Sequence, residues 1–129
     1  MVAGMIGSAL RALFGMVAAL PATQSVVNTT GKILVKDDDV IVRVAGSGGA
    51  ATAAAAAISS ATIRPGRRLL IQGTHDTNTV TISRTAAASS ANGTVTLGAA
   101  TRALGNQDIL EIIQQNDGSW SEVNFTDNT

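Results

Sequence analysis

The second half of the chain is a series of short apolar runs, each closed by a strong turn signal, and this pattern leaves little room for anything but β structure. Thr79 to Ser83 and Thr94 to Leu97 alternate polar and apolar with period two. That puts Val80 with Ile82, and Val95 with Leu97, on single faces of half-buried strands. Asn92-Gly93 and Asp117-Gly118 are dipeptides suited to the positive φ angles of tight turns. Arg64-Pro65-Gly66-Arg67 reads as a type II turn, with Pro fixing one φ and Gly taking the left-handed position. Residues 65–125 are therefore the organising block, and what precedes them reads as an arm and a lead-in.

Within the block, Ile109 to Gln115 and Ser121 to Phe125 are expected to pair across Asn116-Asp117-Gly118. The continuous Ile109, Leu110, Ile112, Ile113 pattern suggests burial on both faces, in a core or at a subunit interface. Trp120 has opposite parity to Val123 and Phe125, which predicts a separate face or a bulge there. Lys32 to Lys36 and Val40 to Val44, separated by Asp37-Asp38-Asp39, read as a hairpin, with Val26-Val27 a short strand before it. About eight short strands at this spacing predict a mainly β domain, a β-sandwich or jelly-roll-like barrel, over residues 22–129. A Gly/Ala-rich insertion at 46–57 interrupts it. Its alanine run has helix propensity but little length, so a helix, an extended insertion and a small-residue contact between subunits all stay open.

The order of cues from Pro65-Gly66 through Arg68 to Thr74, the Asp76-Thr77-Asn78 loop, Thr79 to Ser83, Asn92-Gly93, Thr94 to Gly98, Gln107 to Ile113 and the closing Gly118-Ser119-Trp120-Ser121-Glu122 resembles the β modules of tailed-phage virion proteins. These are the capsid decoration or cement, head-fibre and tail-fibre types. The resemblance implies a virion surface protein, usually a homotrimer, and carries no catalytic residue with it.

Residues Val2 to Leu20 form the most apolar stretch, within an arm of residues 1–21. Arg11 interrupts the apolar part and no basic region precedes it, which disfavours a cleaved signal; the same arginine near the middle disfavours a transmembrane span. At 100° per residue Ile6, Leu10, Leu13, Phe14, Val17 and Leu20 share a face opposite Gly4, Ser8, Arg11 and Gly15. An N-terminal amphipathic α-helical arm, retained, ended by Pro21 and docked on protein rather than membrane, is the expectation.

Composition narrows the function classes. Charged residues are 14% of the chain, net charge is zero, and there is no cysteine. So sparse a charge suggests a surface turned toward other protein. Without disulfides or thiolate metal sites, and with one Trp, two Phe and 13 glycines, stability would come from oligomerisation. Zero net charge and few aromatics argue against nucleic acid as partner. Arg64, Arg67 and Arg68 make the densest basic patch and, with Arg11, suit forked hydrogen bonds to a partner's carboxylates. His75-Asp76 reads as a solvated loop, since sequence neighbours do not form a catalytic dyad. Asp37-Asp38-Asp39 lacks the alternating spacing of a Ca²⁺ loop and reads as a charged turn, a cation site shared between subunits being the alternative. Gly46 to Gly49 lacks the Lys and Ser/Thr of a phosphate loop. No catalytic residue, cofactor or metal ligand is assigned. The leading expectation is a non-enzymatic capsid decoration or cement protein, localised on the virion surface and binding the major capsid protein through the arm. A tail, fibre or baseplate component binding host glycan or tail protein is the alternative, and a bacterial surface β protein with a retained anchor the second.

Overall fold

The computed structural model describes residues 20–85 and 92–128. Among them are eleven strands and no helix: β1 (Thr23–Val26), β2 (Ile33–Val35), β3 (Ile41–Gly46), β4 (Ala51–Thr52), β5 (Ile58–Ser60), β6 (Arg68–Gly73), β7 (Val80–Ser83), β8 (Val95–Thr96), β9 (Thr101–Leu104), β10 (Ile109–Gln114) and β11 (Trp120–Thr126). The first seven wind as successive coils. β1, β3 and β6 stack in parallel, as do β2 with β5 and β4 with β7, so each coil lays its strands beside the equivalents of the coil before it. Thr23 lies opposite Arg43 and Ile41 opposite Leu70, offsets of 20 and then 29 residues. The last layer reverses direction: β9 and β10 pair antiparallel on β7 and β6, and β11 folds back on β10 and meets β8 in parallel. The large sheet runs β1-β3-β6-β10-β11-β8.

This is a β-solenoid-like arrangement, and it overturns the expected sandwich or jelly roll. Those architectures join neighbouring strands by hairpins and Greek-key returns, whereas here sequence-distant strands stack in parallel. The interior explains why the sequence permits it. Inward residues alternate on the three six-residue strands: Val42, Val44 and Gly46 on β3, Leu69, Ile71 and Gly73 on β6, Leu110, Ile112 and Gln114 on β10. Register aligns them in rows that cross the coils, Val42 with Ile71 and Leu110, Ala51 with Val80 and Leu104, Ile33 with Ile58. Aliphatic side chains on like positions of stacked coils bury one another in a single interior lined by the six-, three- and two-stranded sheets.

The expected hairpin between Lys32–Lys36 and Val40–Val44 does not form. Ile33–Val35 pairs with β5, and Ile41–Gly46 with β1 and β6. Both runs line the same interior from different sides, and Asp37-Asp38-Asp39 is the corner between them. The Lys36 carbonyl accepts from Asp39 N at 3.1 Å, while Asp39 Oδ2 accepts from Lys36 N at 2.8 Å. The alanine run is extended, not helical. Its N–H groups bond across coils, Ala53 to the Thr81 carbonyl and Ala54 to that of Gly31, both at 2.9 Å, and Ala51, Ala53 and Ala57 are buried. Cross-coil bonding and burial outweigh its helix propensity.

Other expectations agree with the structure. The β10–β11 hairpin forms, with Gly118 at φ 84, and Gly66 and Gly93 take φ 86 and 87 in their turns. Val80, Ile82, Val95 and Leu97 are buried. A bulge is present, but at Val123: Glu111 opposes Asn124 and Ile112 opposes Glu122, so Val123 has no opposite number. Trp120 thus faces the core, as do Leu110 and Ile112, whereas Ile109 and Ile113 are half-buried on the outer face rather than equally buried. The proposed helical arm, with Ile6, Leu10, Arg11, Leu13, Phe14 and Val17, lies outside the described residues.

Gly73 ends β6 where the chain runs against the next coil. A Cβ there would collide with the backbone of Leu104 and Gly105, while one at Gly49 would meet nothing within 4 Å. Gly73→Ala should lower stability by roughly 1–3 kcal/mol in urea denaturation and Gly49→Ala should be near neutral; equal effects would place the coil contact elsewhere.

Candidate interaction surface

Side chains of the first coil show how its end is finished. Among the described residues β1 ladders only with β3, and β2 only with β5, so each has one edge without a strand partner there. Unpaired strand edges invite another chain unless they are blunted. Gln24 does part of this: its Oε1 accepts from Leu34 N at 2.9 Å and its Nε2 donates to the Leu34 carbonyl at 2.7 Å. The side-chain amide thus supplies the donor and acceptor that a neighbouring strand would offer. Around it Pro21, Gln24, Leu34, Lys36, Ile41 and Arg43 line a groove of about 330 Å³. Leu34 is 61% and Val40 70% exposed, and Leu20 and Val27 add further apolar surface on flanking segments. At the far end the large sheet terminates in the two-residue β8, whose Val95 backbone is bonded to Thr85 at both N–H and carbonyl.

The three arginines around Pro65-Gly66 gather on the Asp37–Asp39 corner or on β10. Arg64 Nη1 donates to the Asp37 carbonyl at 3.1 Å and its Nη2 lies 3.9 Å from Asp37 Oδ2. Arg67 Nη2 donates to the carbonyls of Lys36 at 2.6 Å and Asp39 at 2.8 Å. Arg68 Nη1 is 3.6 Å from Glu111 Oε1. Arg64 and Arg68 stay exposed, so their ion pairs are worth little and compete weakly with another carboxylate. Arg67 instead points inward and holds the corner closed.

The remaining polar motifs are spread apart. His75 Nδ1 accepts from Thr77 N at 3.1 Å and Asn78 N at 3.0 Å, capping its own turn, while Asp76 Oδ1 accepts from Asn106 N at 2.9 Å in a different loop. The two do not form a dyad. Gly46 to Gly49 makes the bend from β3 to β4 with Gly48 at φ 72. Among the described residues no three His, Cys, Asp or Glu side chains are placed to share a metal ion, and no helix is long and apolar enough to cross a membrane.

Two polar features escaped sequence reasoning. Asp108 is buried, with Oδ2 accepting from Gly105 N and Oδ1 from Asn128 N, both at 2.7 Å, which ties the chain's last described residue to the β9–β10 loop. Arg102 Nη2 lies 2.7 Å from Glu122 Oε1, and its Nε donates to Oε2 at 3.0 Å, a bidentate pair with the guanidinium 4.7 Å from the Phe125 ring centre. Nothing in the local sequence links residues so far apart. No protein-family model, curated protein or solved structure matches this chain.

The hydrogen bonds from Arg102 hold the Glu122 carboxyl below its ordinary value of 4.5; burial opposes them, and the Gly98 N–H at 3.2 Å adds to them. The same contact raises Arg102. A depressed carboxylate contributes stability that is fully present above the unfolded value and is lost as pH falls through the folded one. Stability should therefore fall as pH drops below about 4.5. Glu122→Gln, less stable at neutral pH, should lose less over that range; parallel acid curves in thermal melts would remove Glu122 from the acid response.

Proposed function

We propose that this protein is a non-enzymatic structural component of a phage virion, a capsid decoration or cement protein that attaches to the major-capsid shell as a homotrimer. The observation that carries the reading is the first-coil end, where exposed Leu34 and Val40 flank two strand edges that have no strand partner among the described residues. Charge is sparse over the whole chain, as suits a surface covered by neighbouring subunits. The cue order between Pro65 and Glu122, with its resemblance to virion β modules, supplies the setting.

The work in this reading is mechanical. Burying apolar surface against the shell yields about 25 cal/mol per Å² removed from water. Three attachment points on one trimer raise the overall affinity through effective concentration without any new contact. Bridging adjacent capsid subunits then resists outward pressure with no chemical step. A second reading, a tail or fibre component, draws on the solenoid-like winding, because coils of this kind can stack end to end on an open edge.

Imaging of intact particles tests both. Stoichiometric density over the shell supports the cement reading, density confined to the tail supports the second, and absence from the particle ends both. Leu34→Glu and Val40→Glu replace exposed side chains, so circular dichroism and melting should hardly change. Each should weaken shell binding by tenfold or more, equivalent to about 1.4 kcal/mol, in co-sedimentation of the full chain with undecorated shells. Undiminished binding by the double variant would exclude the first-coil end as the attachment surface.

A further inference from the structure

Among the described residues three buried side-chain nitrogens have no hydrogen-bond acceptor: Arg67 Nη1, Gln114 Nε2 and Trp120 Nε1. They are not scattered. Gln114 and Trp120 are direct partners in the β10–β11 ladder, and Gln114 N donates to the Arg67 carbonyl at 2.8 Å on the other side. The three residues therefore form one row across the large sheet, on its inward face, where adjacent Cβ atoms stand about 5 Å apart. Gln114 is 1% exposed and Trp120 is fully buried. Buried N–H groups without acceptors are rare in native proteins, and three in one row with the same polarity define a common need.

The orientation of the glutamine is fixed by its other end. Gln114 Oε1 accepts from Arg64 N at 2.9 Å, so turning the amide over would set two donors against each other. The arginine is a cation whose bonded contacts are to backbone carbonyls. The nearby carboxylates are engaged elsewhere, Asp37 with Arg64, Asp39 with Lys36 N and Glu111 with Arg68. One water molecule has two lone pairs, too few for three N–H donors, and it brings no charge to set against the guanidinium. An anion accepts from all three groups and balances the charge of the half-buried guanidinium, whose Nη1 is shut off from solvent.

We propose that Arg67, Gln114 and Trp120 bind a small inorganic anion of the halide class inside the coil, beside the Asp37–Asp39 corner. The guanidinium supplies the charge; the amide and indole N–H groups supply direction. Because Arg67 also holds the Lys36 and Asp39 carbonyls, the bound anion couples the corner to the β10–β11 hairpin.

Trp120 is the only tryptophan, so the site carries its own reporter. The full chain, exchanged into sodium gluconate, is titrated with sodium chloride and with sodium bromide at constant ionic strength. Tryptophan fluorescence and melting temperature should change saturably for both. Trp120→Phe keeps the packing and removes one donor; Gln114→Leu removes another. In each variant the halide-dependent rise in melting temperature should saturate at tenfold or higher concentration or vanish. Crystals grown in bromide should show one anomalous peak between the three nitrogens. A linear, non-saturating response identical in wild type and Trp120→Phe would overturn the proposal, as would a bromide-grown crystal with water or no peak in the row. The crystal decides even where a variant fails to fold.

Discussion

Everything in this molecule depends on the narrow interior in which like positions of successive coils stack on one another. A row such as Val42, Ile71 and Leu110 holds because the three strands are in register and each side chain is walled by the ones before and after it. That demands strict alternation on each strand and tolerates little bulk, so the interior is aliphatic, and the large Trp120 is placed where the coil meets its closing hairpin. The same constraint accounts for the small residues at the bends. Gly46 and Gly73 sit at inward positions of β3 and β6 where a neighbouring backbone occupies the volume a side chain would need. Ala51, Ala53 and Ala57 are buried on the side of the coil formed by β4 and the residues after it.

Stacked coils have ends, and the two ends of this one are treated differently. The far end is turned under by an antiparallel layer, and its last strand is two residues long and bonded to Thr85. Among the described residues the near end keeps β1 and β2 as unpaired edges, covered in part by one glutamine side chain and bordered by exposed Leu34 and Val40. A chain that blunts one edge and leaves the other apolar has a directional surface. The functional reading rests on that asymmetry more than on any cluster of polar residues.

Most of the strands were legible in the sequence, though about eight are expected there and eleven form, β4 and β9 among the additions; their partners, the last hairpin apart, were not. Period two in Thr79 to Ser83, the Gly66, Gly93 and Gly118 turns and the last hairpin depend on near neighbours, and each appears where local chemistry put it. Parallel stacking pairs Thr23 with Arg43 and Ile41 with Leu70 at unequal offsets, so no repeat of fixed length announces it. Lys32–Lys36 and Val40–Val44 were misjoined for that reason: two β-branched runs around a polar turn read the same whether the chain reverses or merely rounds a corner. The alanine run misleads in the opposite way, since its helix propensity is real but small beside the cross-coil bonds it makes. The Arg64, Arg67 and Arg68 patch was visible as a cluster, yet nothing local separates the inward Arg67 from its exposed neighbours. Parity does, once β6 is known: Leu69, Ile71 and Gly73 face inward, and carrying the alternation back past the start of the strand puts Arg67 on their side.

That parity gives the basic turn a double role. Arg64 and Arg68 lie at the rim in weak, exposed pairs with Asp37 and Glu111, while Arg67 passes beneath the same corner and clamps the carbonyls of Lys36 and Asp39. A lysine carries its three donors on one nitrogen and lacks the planar spread with which the guanidinium holds two carbonyls through Nη2 while Nη1 stays buried. The Pro65-Gly66 turn fixes where β6 begins and thereby which arginine enters the coil. A one-residue slip in that turn would exchange Arg67 for Arg68 and carry Leu70 inward in place of Leu69. The position of the turn and the identity of the inward cation are thus one constraint, and it is at this corner that the sheet register, the corner hydrogen bonds and the polar row of the interior meet.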